Sequence, residues 1–431
     1  MKNLIYIILK CLLVTLPLLA VSACSTTGEN RHSGAVEPTI ILISLDGFSQ
    51  QYLGEYPAPH IEQLMKEGVV AASMQPAFPT KTFPNHYSIV TGLYPGNHGI
   101  IENNIYDADF DAIFRMSKPE EVTDSRWWLG EPIWVTAELQ GIKTGTYFYP
   151  GSEADIKGVR PSYWQTYDGN ITNSERVRSV LQWLALPKAE RPAFLTLYFS
   201  TIDDAGHRYG PNSEQVKSAV AEVDQAIGQL INGLKQQNLY NKVNLMLVSD
   251  HGMAEVPPEQ VIVVDSLFDA NKAVLTLWTP EIVSIFPKAG ELENIYQQLS
   301  AGLPASAKVY RKQDLPDRWH YKQSKRVAPL LIIPNPGWRL MQQSQYQRWQ
   351  ARADQQSVAG SHGYDNIAAE MQAIFIGHGP AFAKGKTIPS FANIELYNLM
   401  CEILDITPAA NDGDLKWTRQ LLQLKKQQIS Q

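Results

Sequence analysis

Cysteine is scarce. Only Cys11, Cys24 and Cys401 occur in 431 residues, too few for a disulfide-stapled scaffold. Positive charge is not in excess: 37 Lys and Arg against 43 Asp and Glu leave a net charge of −6. That balance argues against a nucleic-acid polymer as the main partner, because such binders are usually basic. A local site for a small nucleotide or a phosphate ester remains compatible with an acidic chain. There is no internal repeat and no low-complexity run. With 44% hydrophobic and 19% charged residues, the composition excludes a disordered, collagen-like or coiled-coil protein. The apolar run from Cys11 to Val21 is too short for a comfortable membrane span.

That run has a reading of its own. Lys2 and Lys10 precede it and Val21-Ser22-Ala23-Cys24 close it, the charge and small-residue order of a secretory signal. The closing four residues resemble a bacterial lipobox, so residues 1–23 are expected to be a lipoprotein signal peptide, with Cys24 lipidated after cleavage. An ordinary signal cut after Ala23, or an uncleaved anchor, is the alternative. Ser25, in place of Asp, resembles sorting to the outer membrane. The expected location is the bacterial cell envelope, on the periplasmic side, held to the membrane by the lipid on Cys24. Residues 24–37 are small and polar, a flexible tether. After cleavage Cys401 is the one thiol of the body, which suits an oxidising compartment.

From Thr39 onward strand-like and helix-like segments alternate. Thr39 to Leu45 is a nearly continuous apolar, β-branched run, as in a strand buried on both faces. Ala193 to Tyr198 and Val243 to Val248 repeat that pattern. Pro59 to Glu67 and Ser213 to Leu234 carry apolar residues at helical spacing. The alternation predicts an α/β fold with a mostly parallel central sheet flanked by helices. Residues 255–358 differ: strands at Val261–Val264, Ile282–Phe286 and Leu330–Ile333 surround one helix, Leu292–Leu299. They read as a smaller α+β subdomain inserted into a domain spanning 38–431.

Polar residues collect where the strands end, the place where open α/β sheets bind ligands. Asp46-Gly47 follows the first strand. Asp203-Asp204-Ala205-Gly206-His207 follows the second, Asp250-His251-Gly252 the third. Gly360-Ser361-His362-Gly363 lies after the inserted region. One Asp at a strand end is usually a turn former or cap; three of them with three glycine-flanked histidines point to metal binding. Carboxylate oxygen and imidazole nitrogen suit zinc, and two ions sharing such a set would sit roughly 3.5–4 Å apart, as in two-metal phosphoryl-transfer sites. His32, His60, His86, His98, His320 and His378 lack this setting and are read as structural. The segment from Phe78 to Ile101 offers Thr80, Thr82 and Ser88 as hydroxyls. A hydroxyl needs a base or a metal to act as a nucleophile, and no Ser-His-Asp arrangement stands out. Ser88 looks like the opening of a helix, and Thr82 could equally be a helix cap.

Together the stretches ILISLDGF, PTKTFPNHYSIVTGLYPGNHGIIENNIYD, YPGSEADIKGVRPSYW, TIDDAGHRYGP, LVSDHGM and SHGYDN resemble the nucleotide pyrophosphatase/phosphodiesterase family of the alkaline phosphatase superfamily. The likeness runs from about residue 40 to 414. It implies an alkaline-phosphatase-like core and two zinc ions per chain, one on Asp203, His207 and His362, the other on Asp46, Asp250 and His251 with Thr82. It implies hydrolysis of phosphodiester or phosphoanhydride bonds of nucleotides through a covalent phosphothreonine on Thr82. Asn103 falls where the family donates to a phosphate oxygen; Phe83, Tyr149 and Tyr167 fall near positions that clasp a nucleobase. Tyr149 stands where the motif commonly has Trp. Thr201-Ile202 replace the usual acidic residue and Pro, leaving the ligands themselves in place. Neither cysteine-rich amino-terminal modules nor a nuclease-like carboxyl-terminal domain, which accompany some animal relatives, are found.

Other substrates fit the same residues. Choline or lipid phosphodiesters would use the three aromatics by cation–π contact. Phosphate monoesters need more positive charge than Lys81 alone supplies. A non-catalytic binding lipoprotein would lack a ligand or the threonine, and none is missing.

Overall fold

Thr39–Leu45 (β1) is buried along its whole length, as a run apolar on both faces requires. In the computed structural model, which describes residues 38–351 and 357–423, it lies within an eight-stranded sheet. The other strands are β2 Val69–Ala71, β3 Thr144–Tyr147, β4 Tyr163–Trp164, β5 Phe194–Phe199, β6 Val243–Val248, β7 Phe375–His378 and β8 Lys386–Ile388. Their spatial order is β8-β2-β7-β6-β1-β5-β3-β4. Neighbours run parallel except at β7, which is antiparallel to both β2 and β6. The expected signal peptide, the tether and Cys24 lie outside the described residues.

Side chains alternate across β1. Ile40 and Leu42 enter one core, Ile41, Ile43 and Leu45 the other. Four helices matter here: α1 Pro59–Glu67, α2 Thr82–Thr91, α3 Thr201–Tyr209 and α4 Glu214–Gln236. Helices α1 and α4 cover one face, with Ile61, Leu64, Val220, Ile227 and Leu234 fully buried. The Ser213 hydroxyl accepts the Val216 N–H and starts α4, a normal side-chain cap. Ile89 and Val90 of α2 pack on the opposite face beside Leu396, Leu399 and Met400. A sheet with helices on both faces is the α/β layer expected from the sequence.

One expectation shifts. Ser88 does not open a helix; α2 is helical from Thr82, after an extended Lys81, and ends at a left-handed Gly92. Pro84 falls in the first turn, where a missing N–H breaks no helical bond. Thr82 is therefore the first helical residue and not its cap.

The inserted region leaves and returns through a two-stranded ribbon: Ala254–Val256 pairs antiparallel with Ala359–Ser361, Ala254 opposite Ser361. Between them, Ala273–Trp278, Val283–Pro287, Leu330–Pro334 and Ala307–Arg311 form a four-stranded antiparallel sheet in that order. Leu292–Gly302 packs on it, and Val283, Ile285, Ile295, Leu299, Leu330 and Ile332 form its own small core. No helix of the described residues is long and apolar enough to cross a membrane.

Candidate active site

Parallel register builds the first half of the site. Leu45 pairs with Phe199, and Ser44 with Val248. Carried two residues further, the second pairing sets Asp46 beside Asp250, with His251 next to it. The Gly47 N–H donates to Asp250 Oδ1 at 3.1 Å. Gly47 has φ +67°, and a Cβ there would stand 2.9 Å from Asp203 Oδ1. Only glycine combines that backbone with that approach.

Asp203 and His207 lie one turn apart on α3, which follows β5, so both face the same way. His362 is delivered by the ribbon, one residue past Ser361. Two groups result: Asp203, His207 and His362, and Asp46, Asp250 and His251, with the ligand atoms of each group within 4.8 Å of one another. The His251 and His362 rings stack at 3.5 Å, which joins the two groups. Thr82 Oγ1 is 3.4 Å from His251 Nε2, at the amino end of a ten-residue helix. The sequence candidates for metal ligation are thus drawn from four separate segments to one place. Thr80 is not at this place: its hydroxyl donates to the Tyr364 carbonyl and accepts the Gly363 N–H. Ser88 contacts His98.

The histidines are oriented from behind. Nδ1 faces a backbone carbonyl in each: Gly360 O for His207, Gly252 O for His251 and Thr80 O for His362, at 3.1, 2.9 and 2.8 Å. A carbonyl only accepts, so each Nδ1 carries a hydrogen; neutral His207 and His362 then present an Nε2 lone pair, while His251 Nε2 stands 2.9 Å from the Asp250 carboxylate, which also only accepts. Asp46 Oδ1 and Asp203 Oδ1 are buried with no hydrogen-bond partner, and Asp250 Oδ2 is buried against the His251 Nε2 and His86 Nδ1 atoms at 2.9 and 3.3 Å. Imidazole nitrogens and carboxylate oxygens gathered in this way, with His207 alone of the six exposed, fit divalent cations, and the mixed O/N set suits zinc among others.

Without such charge the carboxylates are unevenly satisfied: burial opposes the charge on Asp250, yet His251 and His86 hold it well below the usual carboxylate range, whereas Asp46 and Asp203 are not held down. Burial, with the Asp250 and Asp203 charges nearby, holds Asp46 well above the usual carboxylate range. Burial also raises Asp203, although His207 and His251 pull the other way. Bound cations reverse this logic.

Two contacts were not legible as functional in the sequence. Tyr198 in β5 donates its hydroxyl to Asp46 Oδ2 at 2.5 Å, which leaves Oδ1 free. His86, one turn after Thr82 on α2, places Nδ1 2.9 Å from the Thr82 carbonyl and 3.3 Å from Asp250 Oδ2. Its Nε2 accepts from the Ser44 hydroxyl at 2.7 Å. The four-residue spacing from Thr82 was a signal for His86; nothing marked Tyr198.

A cavity of about 470 Å³ opens beside Thr82 and is lined by Asp46, Phe83, Tyr149, Glu153, Tyr167 and Asp203 among others. The Tyr149 hydroxyl is anchored on the His86 carbonyl at 3.1 Å, whereas Tyr167 is half exposed. Asn103 Oδ1 accepts the Phe83 N–H at 3.1 Å. Its amide N–H groups are left to donate elsewhere.

Residues 40–365 match the family model for type I phosphodiesterase / nucleotide pyrophosphatase. Human ectonucleotide pyrophosphatase/phosphodiesterase family member 1 is 42% identical over 400 residues, which is 90% of this chain and 42% of that protein. A venom phosphodiesterase of Crotalus durissus collilineatus is 41% identical over 399 residues, 90% of this chain and 47% of that protein. The chain thus spans less than half the length of these curated relatives. Among solved structures, murine ectonucleotide pyrophosphatase / phosphodiesterase 5, as an inactive threonine-to-alanine form in complex with AMP, matches with a TM-score of 0.83. It is 34% identical, and the match covers 90% of this chain and 100% of that one.

Proposed function

The chain belongs to the type I phosphodiesterase / nucleotide pyrophosphatase family, and on that premise we propose that it hydrolyses phosphodiester or phosphoanhydride bonds of nucleotides. The observation that carries this reading is the convergence of three histidines, each tied back by Nδ1 to a carbonyl, and the Asp46, Asp203 and Asp250 carboxylates beside one threonine hydroxyl.

Asp203, His207 and His362 would hold one zinc ion, and Asp46, Asp250 and His251 the other, with Thr82 Oγ1 beside it. Bound there, two divalent cations supply Lewis-acid charge to the attacking and leaving oxygens. Thr82 is the nucleophile. Its hydroxyl gives up its proton to water and its oxygen bonds to phosphorus, while the bond to the leaving alcohol or phosphate breaks on the far side and that oxygen is protonated. Water then attacks phosphorus, the bond to Thr82 Oγ1 breaks, and the threonine regains its proton. The amino end of α2 favours the phosphoryl charge. Asn103 holds its amide toward that charge because its carbonyl is occupied by Phe83 N–H. Phe83, Tyr149 and Tyr167 bound the space for the nucleoside. The mouse relative, inactive as a threonine-to-alanine form and bound to AMP, supports both the threonine and the nucleotide.

A choline phosphodiester is the second reading. Glu153 lines the cavity with the aromatic residues, and a carboxylate among rings suits a quaternary ammonium. Turnover of a nucleoside 5′-monophosphate p-nitrophenyl ester is to be compared with p-nitrophenyl phosphate and a choline phosphodiester. Nucleotide specificity predicts that the first is fastest by at least about tenfold; preference for either other substrate would replace the reading. For residues 1–37 the proposal is a lipid anchor on Cys24 at the periplasmic side of a bacterial envelope, supported by the Val21-Ser22-Ala23-Cys24 sequence.

A further inference from the structure

Three residues of the proposed site are each preceded in the chain by a polar residue that points away from it: Lys81 before Thr82, Glu102 before Asn103, Ser361 before His362. Behind the site these three meet. Lys81 Nζ pairs with Glu281 Oε2, and the Ser361 hydroxyl donates to Glu281 Oε1. Lys81 Nζ also stands 3.9 Å from Glu102 Oε1. The other Glu102 oxygen accepts the Asn103 N–H at 2.6 Å. Lys81, Glu102, Glu281 and Ser361 are 7%, 5%, 2% and 7% exposed, so water screens none of these contacts appreciably.

Glu281 comes from the inserted region. It sits in the turn between Ala273–Trp278 and Val283–Pro287, braced by Thr279 N–H to Ile282 O at 3.0 Å and Ile282 N–H to Thr279 Oγ1 at 3.2 Å. That turn fixes the carboxylate. Gly363, with φ +115°, closes over the Lys81 stem, and a Cβ at Gly363 would meet Lys81 Cε at 2.3 Å. An ammonium enclosed in this way cannot swing, and one carboxylate binds both it and Ser361.

We propose that Glu281 is a positioning residue: through Lys81 and Ser361 it sets Thr82 and His362 at a fixed separation, which makes the inserted region a working part of the site. The inference rests on the reading of Thr82 as nucleophile and His362 as metal ligand. Stability alone is not an adequate account of the arrangement. A buried ion pair is a weak source of net stability, and here every group it holds is bonded to the backbone of a site residue.

The test uses the full chain and the variants Glu281→Gln, Ser361→Ala and, as a control on the same inserted region, Arg311→Ala, which removes the ion pairs with Glu293 and Asp314 and the contact with the Tyr296 ring but touches no residue of the proposed site. Zinc retention is measured by competition with a chromogenic chelator, kcat and KM with the nucleoside p-nitrophenyl ester, and folding by thermal melting. Glu281→Gln is expected to lower kcat roughly tenfold or more, with KM changed by no more than about threefold, and to weaken zinc retention roughly fivefold or more. Ser361→Ala should weaken zinc retention by a similar factor, and Arg311→Ala should match the parent in both. Folded Glu281→Gln with kcat and zinc retention within about twofold of the parent would overturn the inference. If that variant fails to fold, Ser361→Ala decides: unchanged zinc retention overturns it. A parent that turns over no phosphodiester would sink the functional reading instead, and zinc retention would still judge Glu281.

Discussion

His207 and His362 face each other, Nε2 to Nε2, at 3.0 Å. With both Nδ1 atoms donating to carbonyls, this is a contact between two lone pairs, which repel. A proton on the His362 side of this contact would charge a buried imidazole, and burial together with the neighbouring His251 holds His362 well below the usual histidine range. A divalent cation removes the repulsion at no such cost. Removing metal with a chelator is expected to abolish turnover and lower the melting temperature, and zinc should restore both. Saturating zinc at about 100 times its dissociation constant would add about 2.7 kcal/mol of stability. Full activity in a metal-free preparation would refute the metal assignment.

Among the described residues the Thr82 hydroxyl has one hydrogen-bonding neighbour, His251 Nε2 at 3.4 Å, so truncating it removes chemistry and few polar contacts. Thr82→Ala should lower kcat by at least ~10³-fold with an unchanged melting temperature. The measurement is steady-state turnover beside a thermal melt; near-parental activity would remove Thr82 from the nucleophile role.

Tyr198→Phe removes the hydroxyl that donates to Asp46 Oδ2. It leaves a buried carboxylate oxygen unpaired, a loss of about 1–3 kcal/mol. Zinc retention or kcat should fall by roughly 10- to 100-fold. A chelator titration showing parental affinity, with parental kcat, would show that Asp46 needs no such support.

His98 predicts an acid limit to stability. The Ile100 N–H donates to its Nδ1 at 3.2 Å, so the ring is neutral with hydrogen on Nε2, buried near Arg326. Burial pushes its pKa down to about 3. Between that value and the unfolded value near 6.5, the unfolded chain binds more protons, so stability rises with pH. The contribution is full above about 6.5 and is lost as pH falls through the window toward 3. From pH 7 to pH 5 the loss from this group is about 2 kcal/mol. Urea unfolding of His98→Gln should show a flatter pH dependence than the parent; parallel curves would exclude His98 as the cause.

Cys24 makes the address testable. Intact mass of protein made in a bacterial envelope should show a chain starting at Cys24 with added acyl mass, and Cys24→Ser should abolish the addition. A mature chain beginning at Ser25 or later would exclude the anchor.

The sequence alone determined the local pieces. β1 and β6 occur at the residues expected because a doubly buried strand is written in consecutive β-branched and apolar residues. The ligand candidates were legible because Asp, His and Gly at strand ends stand out from the apolar runs before them. The start of α2 lies at Thr82 and not at Ser88, since Pro84 is harmless in a first turn. What brings Asp46 beside Asp250, or Tyr198 onto Asp46 across 152 positions, is strand register, and register depends on pairing between distant segments. The grip of Glu281 on Lys81 and Ser361 belongs to the same class. Periodicity reports which face of its own element a side chain takes; only the packed sheet and ribbon decide which side chain of another element it meets there.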